Sequence, residues 1–164
     1  MTIRPILRYP DPRLLEPCQP VVMFDNTLQD LCDDLLQTMR AAPGVGITAA
    51  HVGELVRVSV IQLAPDEPLL IHINPHIISA STELQRFTEG SVSMPGFTEE
   101  VERPARIRFG FQDLSGTAHE GEAEGFLATC IQHEIDQLDG LFWLKRLSRL
   151  KRDRLIKKWE KHTR

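Results

Sequence analysis

Cysteine is scarce in this chain. Cys18, Cys32 and Cys130 are the only three in 164 residues, and their odd number and irregular spacing argue against a disulfide framework. Long apolar runs are missing too: none approaches the roughly 20 residues of a membrane helix. The opening MTIRPILRYP lacks the apolar stretch of a signal peptide. Positive charge is not in excess. Lys and Arg number 19 against 23 Asp and Glu, giving a net charge of −4, which speaks against nonspecific nucleic-acid binding. Internal repeats and low-complexity segments are absent. These absences lead to the expectation of a reduced, cytoplasmic protein with neither a membrane nor a nucleic acid as partner.

What is present suits one compact domain over residues 1–164, with 41 % apolar and 26 % charged residues. Early prolines (Pro5, Pro10, Pro12, Pro17, Pro20) hold the first twenty residues extended, with one helical turn at Leu14 and Leu15. Leu28, Leu31, Cys32, Leu35 and Met39 recur at helical spacing, so a helix runs from Thr27 to Arg40 and stops at Ala42-Pro43-Gly44. Strands are expected over Val56–Leu63, over Leu69–Ile73 with Pro75 ending it, and over His76–Thr82, Ile107–Gln112 and Glu120–Glu124. Helical spacing returns from Phe126 to Leu138, between Gly125 and Gly140. A final helix, Leu147–His162, carries seven Lys and Arg. Those charges read as a solvated helix face, with contact to an acidic or RNA surface as the alternative. Strand runs around one apolar helix give an α+β class, not alternating βαβ units.

Residues 133–137 read His-Glu-Ile-Asp-Gln. In an HExxH motif two histidines lie one turn apart on one helix face and share a metal, while the Glu acts as base on the metal-bound water. Here the first His and the Glu are present, and Gln137 stands at the second His. Alone, a His on a helix is more often a hydrogen-bonded structural residue than a ligand.

Two further segments narrow the choice: Gly44-Val45-Gly46-Ile47-Thr48-Ala49-Ala50-His51 and Glu89-Gly90-Ser91-Val92-Ser93. With Gln132-His133-Glu134-Ile135-Asp136-Gln137, they resemble the three signature motifs of the peptide deformylases, in the same order. The opening Ile6–Val21 and Ile73-Asn74-Pro75 extend the resemblance over almost the whole chain. It implies a peptide deformylase-like α+β fold, with antiparallel-rich sheets around a central helix and a C-terminal helix. It implies a hydrolase that removes the formyl group from formyl-methionyl polypeptides. The cofactor it implies is one divalent ion, Fe(II) or Zn(II), held by a Cys and two His.

Carried over by resemblance, the ligand positions hold Ser91, His133 and Gln137. Glu134 is the general base. His51 stands at the oxyanion side-chain position, and Val92 supplies the backbone donor. The methionine pocket takes Val45, Gly46, Phe87, Phe126, Thr129 and Cys130, and Glu89 with Arg103 forms a structural ion pair. A serine hydroxyl and a glutamine amide are weak, hard donors beside a thiolate and an imidazole. The expectation is a chain without the standard metal and with little deformylase activity. Three alternatives stay open: a metal-dependent amidase that recruits Cys130 and His51, a Ser91–His51 hydrolytic pair oriented by Glu134 or Asp136, and a cleft that binds peptide ends or small molecules without turnover.

Overall fold

The computed structural model describes residues 2–164. The proline-rich opening is extended, with one 3-10 turn at Pro12–Leu15, where Asp11 accepts the Arg13 N–H. Helix α1, Asn26–Ala41, begins at Asp25, whose carboxylate accepts the Leu28 N–H at 3.1 Å and satisfies one of the free amides of the first turn. Its apolar stripe (Leu28, Leu31, Cys32, Leu35 and Met39) packs on β1, Gly46–Thr48, and β2, Val58–Ile61. The strand expected over Val56–Leu63 is thus shorter at both ends. Strand β1 was missed, because three residues are too few for a visible period.

The two strands expected on either side of Pro75 are one strand, β3, Leu70–Ala80. The correction has a local cause. Against its neighbour β6, Arg106–Gln112, the register of β3 shifts between Ile73 and His76. Proline has no N–H to give a ladder, and here it sits at the irregularity, where none is asked for. Asn74 takes φ 52° at this bend. Its side chain ties the bend down through Val21 N–H (2.7 Å), Val21 O (2.9 Å) and Gln112 (2.8 Å).

Strands β4, Leu84–Gly90, and β5, Thr98–Pro104, form a separate hairpin that the sequence did not announce. Strand β7 is Ala118–Glu124, two residues longer than expected at its start. The five-stranded sheet runs β1-β2-β3-β6-β7, every pair antiparallel.

Helix α2, Gly125–Leu138, touches both the sheet and the hairpin. Ala128, Ile131 and Ile135 face Ile61, Ile107, Phe109 and Ala123 of the sheet. The opposite side carries polar residues toward the hairpin, and they are as buried as the apolar ones. Helix α3, Arg149–His162, starts at Ser148, whose hydroxyl accepts the Lys151 N–H. It buries Leu155 and Trp159 and leaves most of its basic residues outside. Trp159 Nε1–H donates to Tyr9 O at 3.0 Å, and Arg8 lies over its ring, so the helix holds down the start of the chain. No described helix is long and apolar enough to cross a membrane.

Candidate active site

A cavity of about 440 Å³ opens between β1, the end of the hairpin and α2. Val45, Gly46, His51, Ser91, Val92, Phe126, Thr129, Cys130, His133 and Glu134 all line it. These residues lie up to ninety positions apart, and the fold brings them to one place. Phe87 and Gln137, also expected at the site, are not in its wall. Phe87 stands against Phe126 outside the wall, ring centroids 5.5 Å apart, while Thr88, Glu89 and Gly90 of the same strand line the cavity.

Gln137 is buried and donates its side-chain N–H to Leu14 O at 2.7 Å. That ties α2 to the 3-10 turn near the N-terminus. The atom it could still offer a metal ion is the amide oxygen, neutral and hard.

His133 is held from behind. Its Nδ1 lies 2.8 Å from Glu89 Oε1, and Arg103 grips the same carboxylate with two N–H bonds of 2.6 and 2.9 Å. A third Arg103 N–H donates to Asp136 at 2.8 Å, and Arg146 closes on Asp136 at 2.9 and 2.8 Å. The ion pair foreseen between Glu89 and Arg103 is therefore part of a longer buried chain. Burial alone would raise the Glu89 pKa, but its bonds to His133 and Arg103 outweigh that and hold it at about 2. With Nδ1 donating to a carboxylate, His133 keeps Nε2 for the cavity.

His51 sits in a 3-10 turn, Ala49–Val52, directly after β1. Thr48 N–H donates to its Nδ1 at 2.9 Å, and Thr48 Oγ1 is 3.0 Å away. Nδ1 is thus an acceptor, and the ring proton lies on Nε2. That N–H is buried with no hydrogen-bond partner among the described residues. Burial drives the His51 pKa down to about 3, and the nearby His133 adds to this. A neutral imidazole with an unmet N–H suits the donor role expected of it.

Glu134 is buried, with Oε1 unpartnered and Oε2 against Gly46, where even a Cβ would come within 2.8 Å. Burial pushes its pKa up to about 7; His133 opposes this and Glu89 adds to it. Burial works against the His133 cation, yet the Glu134 and Glu89 carboxylates outweigh it and raise that pKa. The consequence for stability has a definite sign. An acid whose folded pKa lies above its unfolded value stabilises fully below the unfolded value and loses this as pH rises through the folded one. Glu134→Gln should then gain on the natural chain at pH 8, by on the order of 3 kcal/mol at about 1.36 kcal/mol per pKa unit, and gain almost nothing at pH 4.5. Urea unfolding at the two pH values measures the difference.

The fit of a divalent transition metal can be judged from the donors. His133 Nε2 is a good ligand, but Ser91 offers a neutral hydroxyl and Gln137 an amide oxygen. Cys130 is buried in the cavity wall and joins no group of ligands there. His51 has spent Nδ1 on Thr48. Among the described residues, no group of three or more His, Cys, Asp or Glu is placed to hold a metal ion. The residues present do not fit iron or zinc, and the set imagined from Cys130 and His51 is not assembled. The supports of the two histidine positions are nevertheless both in place, Glu89 behind residue 133 and Leu14 O behind residue 137.

Sequence reasoning missed Thr48, the Leu14 carbonyl and Gln85. Gln85 donates to Gly125 O (2.7 Å) and Thr129 Oγ1 (3.0 Å) beneath the side-chain pocket. Backbone acceptors leave no trace in residue identity. Gln85 was hidden in a strand whose inward face is largely polar.

The site is thus a cleft between a hairpin and a His-Glu helix, with an unmet buried N–H beside it. The family model for polypeptide deformylase matches residues 3–153. A peptide deformylase-like protein of Agrobacterium fabrum is 63% identical over 161 residues, covering 98% of each chain. A peptide deformylase of Novosphingobium aromaticivorans is 43% identical over 183 residues, covering 98% of this chain and 97% of its own. The structure of peptide deformylase from Ehrlichia chaffeensis in complex with actinonin superposes with a TM-score of 0.93 at 36% identity, covering 100% of this chain and 99% of the other. The chain belongs to the peptide deformylase family.

Proposed function

We propose that this protein keeps the family's cleft for acylated peptide N-termini and has given up metal-assisted deformylation. The observation that carries the reading is the donor set at the three ligand positions, where a hydroxyl at Ser91 and an amide at Gln137, turned to Leu14 O outside the cavity wall, accompany the single imidazole of His133. Without the metal, water is not brought toward a pKa of about 7, and a developing oxyanion lacks its main positive partner. What remains suits binding. The His51 N–H can meet an acyl oxygen, Glu134 can accept or hold a proton beside it, and Val45, Phe126, Thr129 and Cys130 wall a side-chain pocket. The similar Ehrlichia chaffeensis peptide deformylase forms a complex with actinonin, which supports a ligand-binding reading.

The test compares turnover with binding. With a formyl-methionyl tripeptide, kcat/KM should fall at least roughly a thousandfold below that of the Novosphingobium aromaticivorans enzyme assayed alongside, as loss of two metal ligands implies when lesser changes near a metal cost about 10–100-fold each. The same peptide should still raise Tm; saturation at about 100 times Kd is worth about 2.7 kcal/mol. Turnover within tenfold of that enzyme would sink the proposal.

A further inference from the structure

We infer that Ser91, His133 and Glu89 form a metal-independent nucleophilic triad able to take an acyl group from an activated ester. The inference concerns the same cleft but stands apart from peptide binding. A serine nucleophile needs a base whose lone pair faces it, and the base needs a group that fixes its tautomer and meets its positive charge. His133 has the second requirement in full: Glu89 Oε1 is 2.8 Å from Nδ1, and two Arg103 N–H bonds fix the carboxylate. Both the carboxylate and its arginine are nearly inaccessible. Nε2 is left for the cavity, whose wall Ser91 shares. Ser91 follows Glu89 by two residues, just past the end of β4, so one short segment places both the nucleophile and the orienting acid.

The serine is half prepared. Its Oγ accepts the Ser93 N–H at 3.1 Å, which leaves its own proton free to give. Ser91 and His133 are not hydrogen-bonded to each other in the ligand-free state. The triad requires Ser91 Oγ to turn from the Ser93 N–H toward Nε2 across the wall they share, and catalytic hydrogen bonds commonly tighten only once a ligand is bound. The alternative base fails on geometry: His51 has Nδ1 engaged by Thr48 and no carboxylate behind it. Of the two carboxylates that could orient it, Asp136 is taken by Arg103 and Arg146, and Glu134 makes no bond to the ring, whose Nδ1 already accepts from Thr48. The unmet His51 Nε2–H instead suits the oxyanion.

The step balances within these groups. Ser91 Oγ bonds to the carbonyl carbon as its proton passes to His133 Nε2. The carbon–oxygen bond to the leaving alkoxide or phenoxide breaks, and the proton on Nε2 goes with it. Water, deprotonated by the same nitrogen, then bonds to the acyl carbon; the Ser91 Oγ–carbon bond breaks, the acid leaves, and the proton on Nε2 returns to Oγ. An ester with a good leaving group is the substrate class, because no Lewis acid is asked to activate the carbonyl.

The experiment treats the chelator-washed full chain with an alkyl fluorophosphonate and follows intact mass, with peptide mapping of the adduct. One adduct per chain on Ser91 is expected, absent in Ser91→Ala and formed at least about a hundredfold more slowly in His133→Gln, the scale of a lost general base. Thermal melts confirm that both variants are folded. Unlabelled Ser91 after prolonged excess of reagent overturns the triad, as does labelling at an unchanged rate in folded His133→Gln. Calorimetry with a formyl-methionyl peptide separates the two proposals. Labelling without peptide binding upholds the triad and fails the binding reading; binding without labelling does the reverse.

Discussion

Exchanging Ser91 for Cys and Gln137 for His together should give a protein that holds about one zinc ion per chain, the stoichiometry of a three-ligand catalytic site. The reason is that the surroundings of both histidines survive. At position 133 the imidazole already leans on Glu89. At position 137 the Leu14 carbonyl, now 2.7 Å from the glutamine nitrogen, can take an imidazole Nδ1–H and leave Nε2 to the ion. A thiolate at position 91 supplies the soft anionic donor. Each exchange alone should raise affinity far less than the pair, because two ligands hold zinc loosely and three hold it in a defined geometry. Elemental analysis after zinc loading and desalting reads the outcome. A folded double variant that leaves the column empty would mean that the cleft has shifted as well as lost its ligands.

Arg103→Leu should cost about 3–5 kcal/mol, the usual consequence of removing one partner from a buried ion pair. Its guanidinium is 3% exposed and bridges Glu89 on the hairpin to Asp136 on α2. Leucine would strand the Glu89 carboxylate with only His133 opposite, while Asp136 would still have Arg146. Arg103→Lys should also be costly, since one ammonium cannot fork onto two carboxylates. The pairing can be separated from bulk by a double-mutant cycle. Glu89→Gln with Arg103→Leu should lose less than the sum of the single changes. Urea denaturation provides the free energies, and a loss below about 1 kcal/mol for Arg103→Leu would contradict the account.

Much of the fold was legible because apolar residues repeat at a visible period. Leu28 to Met39 marks α1, Phe126 to Leu138 marks α2, and each helix lies within two residues of its expected ends. The hairpin was not legible. Its inward positions include Gln85, Glu89 and Arg103, charged and polar groups buried for each other's sake, and these erase the apolar alternation that announces a strand. Pro75 misled for the opposite reason. It is a sound strand breaker in a regular ladder, and only the bulge beside it, invisible in sequence, makes it harmless. At the site, His51, Ser91, His133 and Glu134, which the motifs single out, line one cavity. They could not tell which histidine is carboxylate-oriented. That assignment depends on Thr48 reaching His51 and Glu89 reaching His133, pairings set by three-dimensional approach.

The central claim is that this donor set does not hold the family's metal. Elemental analysis of the natural chain, purified without oxygen or chelator, tests it most directly. Iron, zinc and other transition metals should total well below one ion per chain in protein that is folded by circular dichroism. A value near one ion per chain, lost on Ser91→Ala or His133→Gln, would contradict the account and show that a hydroxyl, an amide and one imidazole suffice.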